Sequence, residues 1–156
     1  GYLRLTGRVS DTFKSAKGKY IVPAPIEWGF ARNSYIEQIC VVGLAIPQPL
    51  ALVILSEIGR QAPPADVHHS LERSLETVNQ SLSAYQRLRG IVVMKGEWNV
   101  DNGLLTPTMK IRRDELNRRF QDRFHHWYER GEKIIWEGGA VEDTGQRAES
   151  LGSVPD

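Results

Sequence analysis

The sequence predicts an α+β domain: a small sheet of about three strands covered by helices, with an N-terminal β-hairpin. Three observations carry this. Two apolar runs rich in β-branched residues, 36–44 (IEQICVVGL) and 50–56 (LALVILS), flank a turn containing Pro47 and Pro49, the pattern of an antiparallel pair. A third such run, Ile91, Val92 and Val93, follows a long segment whose apolar residues recur every three or four positions, a helical period. The chain has 156 residues, 40% hydrophobic and 25% charged, which suits one globular domain with a real core.

In order, residues 2–9 alternate as a strand would, with Leu3 and Leu5 on one face, and 19–22 supply a hairpin partner after Gly18. Pro23 and Pro25 open a helix over about 24–33 that buries Ile26 and Phe30. After Pro63 and Pro64 a longer helix carries the stripe Val67, Leu71, Leu75 (or Ser74), Val78, Leu82, Tyr85 and Leu88, and Gly90 is placed to end it. Residues 98–103 are turn-rich. A last helix over about 113–129 turns Leu116, Phe120, Phe124 and Trp127 or Tyr128 to one side. Residues 131–156 show no sustained period and read as a partly flexible tail, with Trp136 anchoring a short piece; the domain proper is 1–130.

A net charge of +1 creates no global field for nucleic acid, and no apolar run approaches membrane-spanning length. Cys40 is the single cysteine, so no disulfide framework is expected; inside an apolar run it reads as a small buried hydrophobe, and a reducing cytoplasm is the natural setting. The chain opens within a strand-like segment and without methionine, as a piece cut from a longer protein would.

The chemistry concentrates in 103–113, GLLTPTMKIRR. Pro107 fixes its own φ and biases Thr106 toward extended geometry, so Lys110 is approached through a defined turn. A lysine on a rigid presenter, with hydroxyls at Thr106 and Thr108, suits delivery of one positive charge to a developing anion; a surface loop leading into a basic helix fits these residues equally well. In the last helix Arg112, Arg113, Arg118, Arg119 and Arg123 are interleaved with Asp114, Glu115, Asp122 and Glu129, which favours an ion-paired, solvated face. The alternative is an interaction module that binds nucleic acid or an anionic surface through this helix. His68-His69 and His125-His126 point about 100° apart within each pair, so no metal site is expected.

Two motifs resemble a known family. Residues 1–27, GYLRLTGRVSDTFKSAKGKYIVPAPIE, resemble the hinge motif of the adenylate-forming enzymes, the superfamily of acyl-CoA synthetases, luciferases and adenylation domains. TPTMKIRR resembles the catalytic-lysine motif of the long-chain fatty acid–CoA ligase branch. The resemblance covers about 1–128 and implies the small mobile C-terminal domain of such an enzyme, which is AMP-forming and converts carboxylic acid, ATP and CoA to acyl-CoA, AMP and pyrophosphate. It implies that Lys110 is the catalytic lysine, that Arg8 contacts the ATP ribose, and that Ser10 and Asp11 form the hinge. Ser10 is a departure, since the family carries Asp or Lys at the pivot. Gly18 matches the glycine that approaches the pantetheine arm of CoA, with Lys14, Lys17 and Lys19 around it. Glu27 matches a common position and reads as structural, near a helix start. ATP, Mg2+ and CoA are then substrates or cofactor of the full-length enzyme, none held tightly by this domain alone. The partners are the N-terminal domain and a carboxylic acid, with membrane contact at most peripheral and no nucleic acid. The domain by itself should be inactive, and an acyl acceptor other than CoA stays open.

Overall fold

A computed structural model of the chain describes residues 11–138. The strand expected over 2–9, with Arg8 and Ser10, lies outside the described residues. The hairpin is formed by β1 (Phe13–Lys14) and β2 (Tyr20–Ile21), antiparallel, so the partner of the strand expected at 19–22 is a segment the sequence pattern did not suggest. Gly18 closes the turn at φ 81°, a left-handed conformation that a side chain disfavours, while the Ser15 amide donates to the Lys19 carbonyl at 2.9 Å. The hairpin is held to the main body by the Ala16 amide, which donates to the Ile46 carbonyl at 2.9 Å. Phe13 packs closely against Gly43, where a Cβ would come within 2.6 Å of the ring.

After the hairpin come α1 (Pro23–Trp28), β3 (Ile36–Val42), β4 (Leu50–Leu55), α2 (Glu57–Gln61), α3 (Pro64–Gln80), β5 (Gly90–Val93), α4 (Arg113–Arg130) and β6 (Ile134–Trp136). The sheet order is β3-β4-β5-β6, with β3 and β4 antiparallel as expected and β4, β5 and β6 parallel. Leu50, Leu52 and Ile54 face one hydrophobic cluster with Leu116, Phe124 and Trp127 of α4. Ala51 and Val53 face the other, with Ile26 of α1 and Val67, Leu71, Leu75 and Val78 of α3. Helices cover both faces, which is why β4 is apolar at every position rather than at alternate ones.

The fold class is the one expected, with specific corrections. The sheet has a fourth strand: β6 pairs with β5 through Ile91–Ile134, Val92–Ile135 and Val93–Trp136, so the packed unit runs past residue 130. Three residues are too few to show a period, and pairing with β5 rather than alternation makes them a strand. Helix α3 stops at Gln80, short of Gly90. The Asn79 side chain is the reason: its Oδ1 accepts from the Leu88 amide at 2.8 Å and its Nδ2 donates to the Leu88 carbonyl at 3.1 Å. Residues 81–89 therefore loop back, with a single 3₁₀ turn at Ala84–Gln86, and Leu88 reaches the core from a loop. Helix α1 ends at Trp28 rather than 33, and α2, capped by the Ser56 hydroxyl on the Gly59 amide at 3.1 Å, was not foreseen.

Candidate functional site

Lys110 stands on a turn built in layers. At its base, Asn99 and Asn102 exchange hydrogen bonds, Asn102 Oδ1 accepting from the Asn99 amide at 3.1 Å and Asn99 Oδ1 from the Asn102 amide at 2.8 Å. Leu104 and Leu105 are buried, and Leu105 bridges to Ile111 across the turn. The Thr106 amide donates to the Lys110 carbonyl at 2.8 Å, and the Thr106 hydroxyl accepts from the Lys110 amide at 3.0 Å while lying 3.1 Å from the Thr108 hydroxyl. Met109, exposed, takes φ 69°, a strained conformation for a residue with a side chain. Backbone and hydroxyls are thus consumed in fixing the turn. The Lys110 side chain is exposed, and no acidic side chain among the described residues pairs with it.

Three residues on, at the first position of α4, Arg113 does something the sequence did not reveal. Expected on a solvated face, it turns inward. Nη2 donates to Glu27 Oε1 at 2.6 Å and Nη1 to Glu27 Oε2 at 2.7 Å, a two-pronged pair, with a further contact from Nη1 to Cys40 Sγ at 3.3 Å. Its Nε lies 3.9 Å from Asp11 Oδ1. Burial works against the Arg113 charge, but the Glu27 hydrogen bonds and the surrounding negative charge together outweigh it and raise its pKa. Glu27 is not near a helix start: it is the fifth residue of α1, and its Oε2 also accepts from the Val41 amide at 2.8 Å, capping the open edge of β3. Cys40 is buried, as expected, and burial pushes its thiol up to about 12. Asp11, Cys40, Arg113 and Asn117 line a cavity of about 150 Å³, and Asn117 Oδ1 is buried with no hydrogen-bond partner among the described residues.

Of the residues singled out from the sequence, the structure brings Asp11 to the start of α4, and so to the root of the Lys110 turn, through Arg113. Gly18 is at the far tip of the hairpin from Asp11, and among the described residues no hydrogen bond or ion pair joins its turn to that of Lys110. Around Gly18, the Lys14 ammonium sits over the Tyr20 ring and the Lys19 ammonium over the Tyr85 ring, each 5.7 Å from the centroid, while Lys17 is exposed. The remaining α4 arginines are ion-paired: Arg118 and Arg119 to Glu115, Arg123 to Glu137 at 2.6 Å and Arg130 to Glu132 at 2.6 Å. The Glu115 pairs are of the interleaved kind the sequence suggested, whereas Glu132 and Glu137 lie beyond the helix; together these pairs leave little free cationic surface on it. Among the described residues no three His, Cys, Asp or Glu side chains are grouped to hold a metal ion. No helix among them is long and apolar enough to cross a membrane. Arg113 and Glu27 were the residues missed; both stand inside the quoted motifs, but nothing in one sequence pairs positions so far apart.

Residues 10–132 match the model of the AMP-binding enzyme C-terminal domain, and the chain belongs to that family. Similar proteins include long-chain-fatty-acid–CoA ligase 1 of Cavia porcellus, 28% identical over an alignment that covers 82% of this chain and 21% of the relative. A chloroplastic long-chain-fatty-acid–[acyl-carrier-protein] ligase of Arabidopsis thaliana is 30% identical over an alignment that covers 82% of this chain and 18% of that protein. Among solved structures, the adenylation domain of the carboxylate reductase from Mycobacterium chelonae superposes with a TM-score of 0.65 at 25% identity, over 78% of this chain and 20% of that one. The chain therefore spans about a fifth of the length of the relatives it matches.

Proposed function

We propose that the chain serves as the mobile lid of an AMP-forming carboxylic acid–CoA ligase, supplying the catalytic lysine and the hinge and inactive without its N-terminal domain. The observation that carries this reading is Lys110, an exposed cation on a turn whose backbone and hydroxyls are tied up in holding it. In the first half-reaction a carboxylate oxygen attacks the α-phosphorus of ATP and pyrophosphate leaves. Two anions must meet, and a fixed ammonium between them offsets their repulsion and stabilises the charge of the transition state. Arg8 holds the ribose hydroxyls. The domain then rotates about Ser10 and Asp11, bringing Gly18 with Lys17 and Lys19 to the acyl-adenylate; the CoA thiolate attacks the acyl carbon and AMP leaves. Magnesium accompanies the nucleotide, and no step assigned to these residues runs through it.

The test is to time the two half-reactions separately in the full-length enzyme carrying Lys110→Ala. Acyl-adenylate formation should fall by at least about 10²-fold, the usual cost of one positioned electrostatic donor, while thioester formation from supplied adenylate is spared. Equal loss in both would overturn the reading. A second acceptor, an acyl carrier protein, is favoured by the Arabidopsis thaliana relative, and comparing CoA with carrier protein in the second half-reaction decides between them.

A further inference from the structure

The groove between the turn after α1 and the exposed side of α3 is apart from both motifs. Its volume is about 640 Å³, and its lining includes Arg32, Asn33, Tyr35, Ser70, Arg73 and Ser74. Its centre is organised by Asn33, which donates from Nδ2 to Ser70 Oγ at 3.1 Å and to Ser74 Oγ at 2.9 Å, while its Oδ1 accepts from the Tyr35 amide at 3.0 Å. Each serine hydroxyl thus accepts within the protein and keeps its own proton to donate; neither donates to a described residue. Ser70 and Ser74 are one helical turn apart, Arg73 follows Ser70 by three positions, and all three line the groove. Arg32 and Arg73, one on each wall, have no carboxylate within ion-pair distance among the described residues, in contrast to the paired arginines of α4. The nearby acids of α3 are engaged elsewhere, Glu72 with His68 at 3.9 Å and Glu76 with Lys133 at 3.2 Å, leaving Asp66 as the acid in the lining.

We infer that this groove is an anion site for a phosphate monoester group, taken between the Arg32 and Arg73 guanidiniums and the Ser70 and Ser74 hydroxyls. Two guanidinium forks and two fixed hydroxyl donors match the acceptor-only oxygens of a tetrahedral dianion, and two unpaired arginines supply the charge it needs. The site is distinct from Lys110 and from Gly18, and it does not depend on the proposed ligase role.

The experiment is a titration of the 156-residue chain, followed by ¹H–¹⁵N correlation spectra at constant ionic strength, with inorganic phosphate and with glycerol 3-phosphate, chloride serving as the reference. Saturable shifts should be confined to residues 32–35 and 69–77. Arg32→Gln with Arg73→Gln should weaken apparent affinity at least about tenfold, since each removes a charge-assisted contact. Both arginines are exposed, so the variant should keep its spectrum elsewhere. Ser70→Ala with Ser74→Ala should weaken it less, and Lys110→Gln should leave it unchanged. Shifts that never saturate, that match chloride, or that survive the arginine changes would overturn the inference. Saturation by an acidic peptide with no saturable response to either phosphate would also overturn it and make the groove a protein-binding surface.

Discussion

Arg113 and Glu27 are 86 residues apart in the chain and meet through both prongs of the guanidinium, at 2.6 and 2.7 Å. The pair fastens the first turn of α4, three residues from Lys110, to α1 and to the edge of β3. Only 21% of the arginine side chain and 11% of the glutamate side chain are exposed, so the pair is shielded from water and salt.

Breaking it should therefore be costly. Arg113→Ala leaves a shielded carboxylate with only the Val41 amide, and should lower unfolding free energy by about 3 kcal/mol. Replacing both, as Glu27→Leu with Arg113→Met, should recover much of that loss, because no charge is left stranded. Urea unfolding of the wild type, both single variants and the double variant gives the cycle; additive losses would show that the two residues act independently.

Cys40 should be inert. Burial keeps its thiol protonated up to about 12, so at pH 8 almost no thiolate is present and the sulfur is also covered. A thiol-reactive chromogen should label the native chain at a rate set by unfolding and label the urea-unfolded chain at once. Rapid labelling of the native chain would refute this.

Glu115 should give a stability that depends on acidity. The guanidiniums of Arg118 and Arg119 hold its carboxyl down at about 2, against an ordinary value near 4.5. A pKa lower in the folded state means that the stabilisation is complete above about pH 4.5 and is lost as pH falls toward 2. Glu115→Gln should flatten the fall of unfolding free energy across that window and change nothing near neutrality beyond a constant offset. High salt should shrink the difference, because the pair is on the surface. An identical slope for wild type and variant would rule out this contribution.

Arg8→Ala in the full-length enzyme should raise the KM for ATP. Loss of charge-assisted hydrogen bonds to the ribose costs on the order of 1.5–3 kcal/mol, which is about 10- to 100-fold. Thioester formation from supplied adenylate and CoA, timed beside it, shows whether the loss is confined to nucleotide use. A KM for ATP unchanged in a folded variant would leave Arg8 as a surface residue.

Period and punctuation along the chain determine much of this protein by themselves. The antiparallel pair around Pro47 and Pro49, the start of α3 after Pro63, the third apolar strand and the long α4 are all legible because each is set by neighbours within a few residues. So is the Lys110 turn, whose proline and threonines act locally. Tertiary structure decided the rest. Helix α3 ends at Gln80 because the Asn79 side chain binds Leu88, although the helical spacing of apolar residues continues beyond it. β6 is a strand because β5 offers it a ladder. The helices α3 and α4 lie on opposite faces while β4, β5 and β6 step the same way across the sheet, so the two crossovers have opposite hands, and one must be the uncommon left-handed kind. Local pattern carries no information about that. Arg113 has the pattern of one more surface charge, since a single sequence reports a residue's type and its near neighbours; only the fold brings Glu27 to it and makes it the residue that ties the Lys110 turn to Asp11.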